Sequence, residues 1–377
     1  MEKKKKRNTG KKNKSRVSCM TEVMKPEIWE KFPEDLFEVV LARLPMAKII
    51  CFRTVCQQWN NLITSQSFSQ QCSKVSQVNP WFCISHGHYN YKTIYDPCMK
   101  RWYNPKLFDN KPGQYPRLVC SAGGLVCFED DGYLSSIFSF AEDLYRRTIL
   151  YVCNPITQSF KKLPIGSIKI WRLLGMTMNV SAGYRVLKLG CDRTFEIYDS
   201  ITKCWSHLKK IPICIKKLDD TISNIVSIDT TLYFKHKDPE GISSCDTSTG
   251  VWTQHLIQVP LHSSDLTLAE SDGRIMLFGL IGASCLCIWE VQKMTFLLKE
   301  VDRVRFSGLY GRPLTCWGNK CLLFSYLKST DMYRMITYNI STRKWVKVFI
   351  PFTISTHVKD YFRIRGTAFQ PCLSAMP

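Results

Sequence analysis

The sequence predicts a multidomain protein in which a small all-α domain is followed by an all-β propeller of six blades. Three observations predict this fold. Apolar residues recur at helical spacing early in the chain, and short β-branched runs broken by turn residues follow from Pro80 onward. One turn motif also recurs six times, at intervals of about 44 to 58 residues. The 377 residues suffice for two domains, and the 45% share of hydrophobic residues supplies their cores.

The formal net charge of +21 is concentrated at the N terminus. Residues 1–25 are polar and basic, which predicts a disordered tail. Two basic clusters flank Asn8-Thr9-Gly10, a pattern similar to a bipartite nuclear-import signal, so we expect the protein in nucleus and cytoplasm. The alternative is a solvated tail that touches RNA or acidic lipid through charge alone. The candidate import residues are Lys3, Lys4, Lys5, Lys6, Arg7, Lys11, Lys12, Lys14 and Arg16.

The 18 cysteines are predicted to be reduced and to act as small buried hydrophobic residues, because they are scattered through apolar runs such as Val119-Cys120. No apolar segment of the secretory type follows the basic start, which favours a reducing compartment. Cys83, His86 and His88 lie close together, but their spacing matches no metal-site pattern, and Cys-x-x-Cys is absent. We therefore predict no metal, no cofactor and no catalytic residue.

Three short helices are predicted within residues 29–63. Pro33 suits the first turn of a helix, where its missing N–H costs nothing, and Pro45 ends that helix. So small a unit cannot bury all its apolar surface within itself, which predicts a partner surface. The apolar residues are Leu36, Val40, Leu41 and Leu44 in the first segment, Ile49, Ile50 and Phe52 in the second, and Val55, Cys56, Trp59, Leu62 and Ile63 in the third.

This stretch resembles the F-box, the module that docks on the SKP-family adaptor of SCF-type ubiquitin ligases. The family pattern Leu-Pro-x-Asp/Glu-Leu is matched by residues 32–36, and Ile-Leu-x-x-Leu-Pro by residues 40–45. Ile49 and Ile50 match a Leu-Leu pair, and residues 53–63 match Arg-x-Val-Cys-x-x-Trp-x-x-Leu-Ile. The departures, including Phe32 and Val40, keep the apolar character. The alternative is a helical hairpin that only covers the next domain.

The resemblance implies that the helical domain binds the adaptor and, through it, cullin and RING subunits. The second domain would then bind a target protein for ubiquitination, and the chain would act as a non-catalytic subunit that holds the target near the conjugating enzyme. The residues implied as adaptor anchors are Phe32, Pro33, Leu36, Val40, Leu44, Pro45, Ile49, Val55 and Trp59.

The recurring turn motif is an acidic or amide residue followed six positions later by a large aromatic residue. Asp or Asn opens a tight turn by accepting backbone N–H groups, and the aromatic begins the next strand as part of the blade core. A repeat of this length with several strands per unit is typical of a propeller blade. The six pairs are Asp96 with Trp102, Asn154 with Phe160, Asp199 with Trp205, Asp246 with Trp252, Glu290 with Phe296, and Asn339 with Trp345.

These units also resemble kelch repeats, through the doublet Gly123-Gly124 and the later aromatic residues, and the whole layout resembles the plant F-box/kelch proteins. Residues 361–370 are predicted to form a strand that closes the ring against residues 81–85 of the first blade. The uncharged run 275–289 is too short for a membrane span and is predicted to be a buried hairpin. Spacing alone also allows a seventh, irregular blade.

The predicted boundaries are a basic tail at 1–25, an F-box at 26–65, a linker helix at 66–79, a propeller at 80–371 and a C-terminal tail at 372–377. Basic pairs such as Lys161-Lys162 and Lys209-Lys210 are consistent either with a solvated surface or with a positive face that binds an acidic or phosphorylated partner. Three other functions stay open: a propeller scaffold or nuclear cofactor outside any ligase, a nucleic-acid binder acting through the basic tail, and an oxidase, as in some kelch-type propellers. Neither nucleic-acid binding nor membrane association is favoured.

Overall fold

The computed structural model describes residues 33–75, 80–86, 92–104, 117–130, 149–179, 183–215, 218, 225–236, 240–282, 285–305, 315–319, 321–327, 333–349 and 364–377. The predicted basic tail and its candidate import residues lie outside these ranges, as does Phe32.

Four short helices begin the described part of the chain. Pro33 and Pro45 stand immediately before the first and second helices, where the absence of a proline N–H is tolerated. Ser65 caps the fourth helix, because its hydroxyl accepts the backbone N–H of Phe68 at 3.1 Å. Val55 and Cys56 precede the third helix instead of belonging to it. The helices are α1 (Glu34–Leu41), α2 (Met46–Phe52), α3 (Gln57–Thr64) and α4 (Gln66–Lys74).

The rest of the described chain forms six antiparallel sheets, which are the six predicted blades. Blade 1 contains β1 (Trp81–His86), β2 (Lys92–Asp96), β3 (Arg101–Tyr103) and, from the far end of the chain, β25 (Ile364–Phe369). Blade 2 contains β4 (Arg117–Ala122), β5 (Leu125–Asp130), β6 (Ile149–Asn154) and β7 (Ser159–Lys162). Blade 3 contains β8 (Trp171–Met178), β9 (Tyr184–Gly190), β10 (Thr194–Asp199) and an outer strand in two pieces, β11 (Cys204–Trp205) and β12 (Lys209–Lys210).

Blades 4 to 6 repeat the same four-strand order. Blade 4 contains β13 (Val226–Ile228), β14 (Thr231–His236), β15 (Gly241–Asp246) and β16 (Trp252–Leu256). Blade 5 contains β17 (Ser263–Ser271), β18 (Arg274–Ile281), β19 (Cys285–Val291) and β20 (Leu298–Arg305). Blade 6 contains β21 (Thr315–Asn319), β22 (Cys321–Leu327), β23 (Tyr333–Asn339) and β24 (Lys344–Val348).

The ring closes through its C-terminal strand, which confirms that prediction. β25 pairs antiparallel with β1, with Phe369 opposite Trp81 and Arg365 opposite Ser85. The innermost strands contact one another in the cyclic order β25, β4, β8, β13, β17, β21 and back to β25. Closure of this kind removes open sheet edges at the centre of the fold. The described strands therefore make a six-bladed ring.

The antiparallel order gives the ring two different faces. The hairpins that join the first and second strands of a blade, and the third and fourth, turn at one face, which we call the turn face. The connections between second and third strands, and those that pass to the next blade, lie at the other, which we call the connection face. Four long stretches of sequence, 104–116, 131–148, 211–225 and 349–363, separate strand ends that lie at the connection face.

The helices pack on the turn face at blades 1 and 2. One hydrophobic cluster joins helical residues, including Ile49 and Phe68, to blade residues such as Trp81. Ile156 from a blade 2 turn is buried in this cluster, and Met99 from a blade 1 turn packs against it. Part of the apolar helical surface that the sequence predicts to face an outside partner is thus buried in this cluster instead.

The structure also tests the predictions made for the uncharged run 275–289 and for the cysteines. The run 275–289 forms the hairpin of β18 and β19, with Ile281 opposite Cys285, as predicted. The described cysteines divide between buried positions such as Cys127 and exposed ones such as Cys191, so burial explains only part of the set. Within the described ranges no helix has the length and apolar character needed to cross a membrane.

Candidate functional site

The helical domain exposes several large apolar side chains. Leu36 and Val40 lie one turn apart on α1 and are 47% and 42% exposed, and Val55, just before α3, is 61% exposed. Pro33 and Pro45, at the starts of α1 and α2, are exposed as well. We call Pro33, Leu36, Val40, Pro45 and Val55 the outer helical set. Exposed aliphatic groups on so small a unit are typical of a protein-binding surface.

The other implied anchors point into the protein. Ile49 has no exposed surface and belongs to the cluster shared with the propeller, so it leaves the candidate set because no partner can touch it. Leu44 is half-buried against the same cluster. Trp59 packs edge-on against Phe37 and Phe52, with ring centres 5.8 and 4.8 Å apart. These residues hold the helices together and onto the propeller.

Helix α4 is a packed part of the helical domain, although the sequence analysis placed it in a linker. The hydroxyl of Ser67 donates to the Glu38 carboxylate of α1 at 2.9 Å. Phe68 and Cys72 of α4 are buried in the shared cluster. Burial and the neighbouring Cys372 and Glu38 raise the pKa of the Cys72 thiol to about 11, so this thiol stays neutral.

Five of the six turn motifs adopt the geometry that their first residue suggests. The Asp96 Oδ1 accepts the backbone N–H groups of Cys98 and Met99 at 2.8 and 3.1 Å. Asn154, Asp199, Asp246 and Asn339 accept a backbone N–H two or three residues ahead in the same way. The fifth residue of each turn has a positive φ, and these residues are Lys100, Gln158, Lys203, Gly250 and Arg343.

The fifth blade departs from the predicted register by two residues. Glu290 lies inside β19 and pairs with Arg274 on the adjacent strand at 3.5 Å, while Gln292 opens the turn. Phe296 is the turn residue with positive φ, and it stacks on His255 of blade 4 with 3.6 Å between ring centres. Leu298, half-buried, takes the strand position that the aromatic has elsewhere. The sequence signal failed here because glutamine replaced the acid.

The strand aromatics mostly pack as predicted. Trp205 lies 5.4 Å from the ring of Tyr198, and Trp345 lies 4.4 Å from that of Tyr338. Trp252 is buried between Phe195 and Phe234. The other two pairs are Trp102 with Tyr95 and Phe160 with Tyr151, although Phe160 is largely exposed and is not a core residue.

A buried ion pair fixes one connection between blades. The Lys188 ammonium lies 3.1 Å from the Glu196 carboxylate, and both side chains are almost fully buried. Glu196 also accepts the backbone N–H groups of Ser167 and Ile168, which belong to the link from blade 2. Burial lowers the pKa of Lys188, and the charge of Glu196 opposes that shift. The pair therefore has a structural role, because it holds the link from blade 2 against blade 3.

The residues that follow the outer strand of blade 3 are held by hydrogen bonds at the connection face. The Arg193 guanidinium, in the turn between β9 and β10, donates to the carbonyl oxygens of Pro212 and Ile215 at 2.9 and 2.8 Å. Among the described residues no three His, Cys, Asp or Glu side chains come together in a way that could hold a metal ion.

Comparison with known proteins places these features in context. An F-box domain model matches residues 29–71, which span α1, α2, α3 and part of α4. The chain is 43% identical over 370 residues to F-box only protein 6 of Arabidopsis thaliana, covering 93% of this chain and 76% of that protein. It is 24% identical over 386 residues to F-box/kelch-repeat protein At5g43190 of the same plant, covering 93% and 89%. It is 31% identical over 173 residues to SKP1-interacting partner 15, also of Arabidopsis thaliana, covering 42% and 43%.

Proposed function

The chain belongs to the plant F-box/kelch-repeat protein family, and on that premise we propose that it is the substrate-recognition subunit of an SCF-type ubiquitin ligase. The F-box match and a relative named as a SKP1-interacting partner support this role. The observation that carries the proposal is a helical unit that exposes apolar groups outward while its inner side is fused to a propeller through one core.

We assign adaptor binding to the outer helical set. Leu36, Val40 and Val55 are large aliphatic residues that are already about half-buried, so burying the rest of each side chain contributes roughly 1 kcal/mol. Pro33 and Pro45 extend this surface with rigid groups that lose no side-chain entropy. Leu44, Ile49 and Trp59 act indirectly, because they fix the positions of the helices.

We assign target binding to the parts of the propeller that lie away from the helices. Since the helices occupy the turn face, a target on the connection face or the outer edge of the ring would not compete with the adaptor. The shared cluster brings helical residues together with residues of blades 1 and 2. A receptor of this kind contributes to ubiquitin transfer by holding target lysines near the conjugating enzyme, with no catalytic group of its own.

Affinity purification from plant cells tests this function. The tagged chain should recover an SKP-family adaptor together with cullin and RING subunits. The variant Leu36→Glu with Val55→Glu should lose all three, because two buried charges oppose the interface. A matched control, Leu256→Glu with Leu261→Glu, changes two exposed leucines of blade 4 and should recover them normally. Recovery of cullin by the helical variant at the control's level would refute the proposal.

We propose further that the basic residues 3–16 direct part of the protein to the nucleus. Nine lysines and arginines within 16 residues support this proposal through charge density alone. A fluorescent fusion lacking residues 1–16 should shift to the cytoplasm, and an unchanged distribution would refute the proposal.

A further inference from the structure

The outer edge of blades 2 and 3 carries a repeated sequence that the adaptor function does not use. Lys161-Lys162-Leu163-Pro164-Ile165 in blade 2 has its counterpart in Lys209-Lys210-Ile211-Pro212-Ile213 in blade 3. The surrounding segments, 159–170 and 200–215, contain six lysines and neither aspartate nor glutamate. We call these two segments together the blade 2–3 edge.

In each repeat the first aliphatic side chain is buried and the second is exposed to solvent. Leu163 and Ile211 are buried, and their N–H groups bond to the carbonyl oxygens of Leu150 and Arg193, at 2.9 Å in each case. The proline that follows restricts the backbone. The last residue of each repeat then faces solvent, with Ile165 58% and Ile213 96% exposed.

Further apolar groups on the same edge are exposed. In blade 2 and its connection these are Phe160 and Ile170, and in blade 3 they are Ile201 and Leu208. A lysine among such residues attracts anionic groups, while the aliphatic side chains favour a partner that also brings apolar surface.

The two segments form one surface. The Trp205 indole of blade 3 donates to the carbonyl oxygen of Pro164 at 2.7 Å, which brings the outer strand of blade 3 against the link from blade 2. The Lys161 ammonium lies 6.0 Å from the centre of the Tyr198 ring, so it too spans the two blades. The first repeat therefore lies against the two outer strands of blade 3, whose outermost strand leads into the second repeat.

Edge protection explains the lysines but not the apolar residues. Charged side chains on an outer strand prevent sheets of different molecules from pairing, and lysine is common there. Exposed isoleucines just beyond the ends of these strands, Ile165 and Ile213, are not explained by that protection. In the described part of blade 4, residues 247–262 expose Val251, Leu256 and Leu261 but contain no lysine or arginine. In blade 5, Glu300 neutralises Arg303 at 2.7 Å.

We propose that the blade 2–3 edge binds an acidic, apolar-containing segment of the target protein in extended form. This inference rests on the proposed receptor function and names the chemistry of its target. Carboxylate or phosphate groups of the segment pair with Lys162, Lys209 and Lys210, and its apolar side chains pack on Ile165 and Ile213. A nucleic acid fits less well, because single strands bind through stacking on aromatic side chains and five of the six exposed apolar residues here are aliphatic.

Fluorescence anisotropy with labelled peptides tests the proposal on the full chain bound to its adaptor. The probe peptide alternates glutamate with leucine and phenylalanine. One comparison peptide has serine for glutamate, a second has serine for the apolar residues, and a third has phosphoserine for glutamate. We expect the probe and the phosphoserine peptide to bind, and the two serine-substituted peptides to bind at least about tenfold more weakly.

Matched variants locate the site. Lys162→Glu with Lys210→Glu and Ile213→Ser should weaken probe binding at least about tenfold, because like charges then face the probe. The control, Lys344→Glu with Lys347→Glu and Met294→Ser, makes the same charge change and also removes one side chain that is 94% exposed. It should bind the probe as the unmodified chain does. Both variants should keep adaptor binding, so failure here is distinct from failure of the receptor function.

Three results would overturn the proposal: no saturable probe binding, equal weakening by the two variants, or equal binding of the probe and the peptide without apolar residues. A single-stranded RNA oligonucleotide that displaces the probe at equal concentration would assign the edge to nucleic acid instead, and would overturn it as well.

Discussion

The indole N–H of Trp205 in blade 3 donates a hydrogen bond to the carbonyl oxygen of Pro164 at the exit of blade 2, with 2.7 Å between Nε1 and the oxygen. Trp102 of blade 1 makes the same bond to Phe349 at the exit of blade 6, also at 2.7 Å. In these two blades the aromatic of the repeat therefore also joins neighbouring blades. Tryptophan suits this role because it combines a large ring with one N–H donor.

Trp205→Phe should lower the free energy of unfolding more than the loss of ring area explains. The variant keeps an aromatic ring but leaves the Pro164 carbonyl without its donor, a loss of about 1–3 kcal/mol. Chemical denaturation of the purified chain measures it. Trp252→Phe is the matched control, because the Trp252 Nε1 has no hydrogen-bond partner among the described residues. Equal losses in the two variants would show that the indole bond contributes nothing.

Asn154→Asp should loosen the C-terminal tail. The Oδ1 of Asn154 opens its turn by accepting the N–H of Ile156, and its Nδ2 donates to the carbonyl oxygens of Cys372 and Ala375 at 2.7 and 2.9 Å. A carboxylate keeps the turn but faces two carbonyl oxygens with a charge and no donor. We expect a loss of about 1–3 kcal/mol and faster digestion of the last residues by carboxypeptidase.

The matched control for that variant is Asp246→Asn. Asp246 only accepts hydrogen bonds, including those from the backbone N–H and the hydroxyl of Ser248, and an amide oxygen accepts such bonds as well. This exchange should leave digestion of the tail unchanged and should lower stability only through loss of the charge that these bonds favour. A tail that remains as protected in Asn154→Asp as in the control would contradict the role given to the Asn154 amide.

Glu196→Gln should destabilise the protein strongly, because it leaves the Lys188 ammonium buried without its counter-charge. Breaking one side of a buried pair typically costs about 3–5 kcal/mol. The double variant Lys188→Met with Glu196→Gln should recover part of that loss, and thermal unfolding of the set measures it. A double variant that is as unstable as the sum of the single changes would show that the two groups do not interact.

The same pair predicts a pH dependence. Burial holds the pKa of Lys188 below its usual value, so between the folded and unfolded pKa values the unfolded chain binds the additional proton. Stability therefore rises with pH in that window. In Glu196→Gln the opposing charge is gone and the pKa of Lys188 falls further, so the window in which stability rises with pH should extend to lower pH than in the unmodified protein. The same window in both proteins would contradict this reasoning.

Ile49→Ala should destabilise the junction between helices and propeller by about 2–5 kcal/mol, because it opens a cavity in the shared cluster. Adaptor affinity of the folded fraction should change little, since Ile49 is fully buried. Calorimetric unfolding measures the first effect and titration with adaptor the second. A large loss of affinity without loss of stability would return Ile49 to the interface.

The sequence predicts turns and helix boundaries that depend on residues close together in the chain, and it also predicts the strand that closes the ring. The turns at Asp96 and Asp246 follow from a side-chain oxygen that meets backbone N–H groups two residues ahead. Strand β25 was predictable because an open ring would leave an unpaired innermost edge. The helix boundaries at Pro33 and Pro45 follow from a missing N–H.

Features that depend on distant contacts could not be predicted. The periodicity of α2 shows that Ile49 is apolar, but only the packed structure shows that Ile49 is buried in the shared cluster while Val55 is exposed to solvent. The Asn154 amide looks interchangeable with an aspartate until the tail is seen against it. In blade 5, Gln292 takes the position of the acid, so the motif was read two residues early.

Isothermal titration of the purified chain with a recombinant SKP-family adaptor tests the central claim most directly. The account predicts a one-to-one complex with a dissociation constant of about 1 μM or lower. Leu36→Glu with Val55→Glu should weaken it at least about a hundredfold, while Leu256→Glu with Leu261→Glu should leave it unchanged. A chain that ignores the adaptor at micromolar concentration, or a helical variant that binds as tightly as the control, would contradict the account.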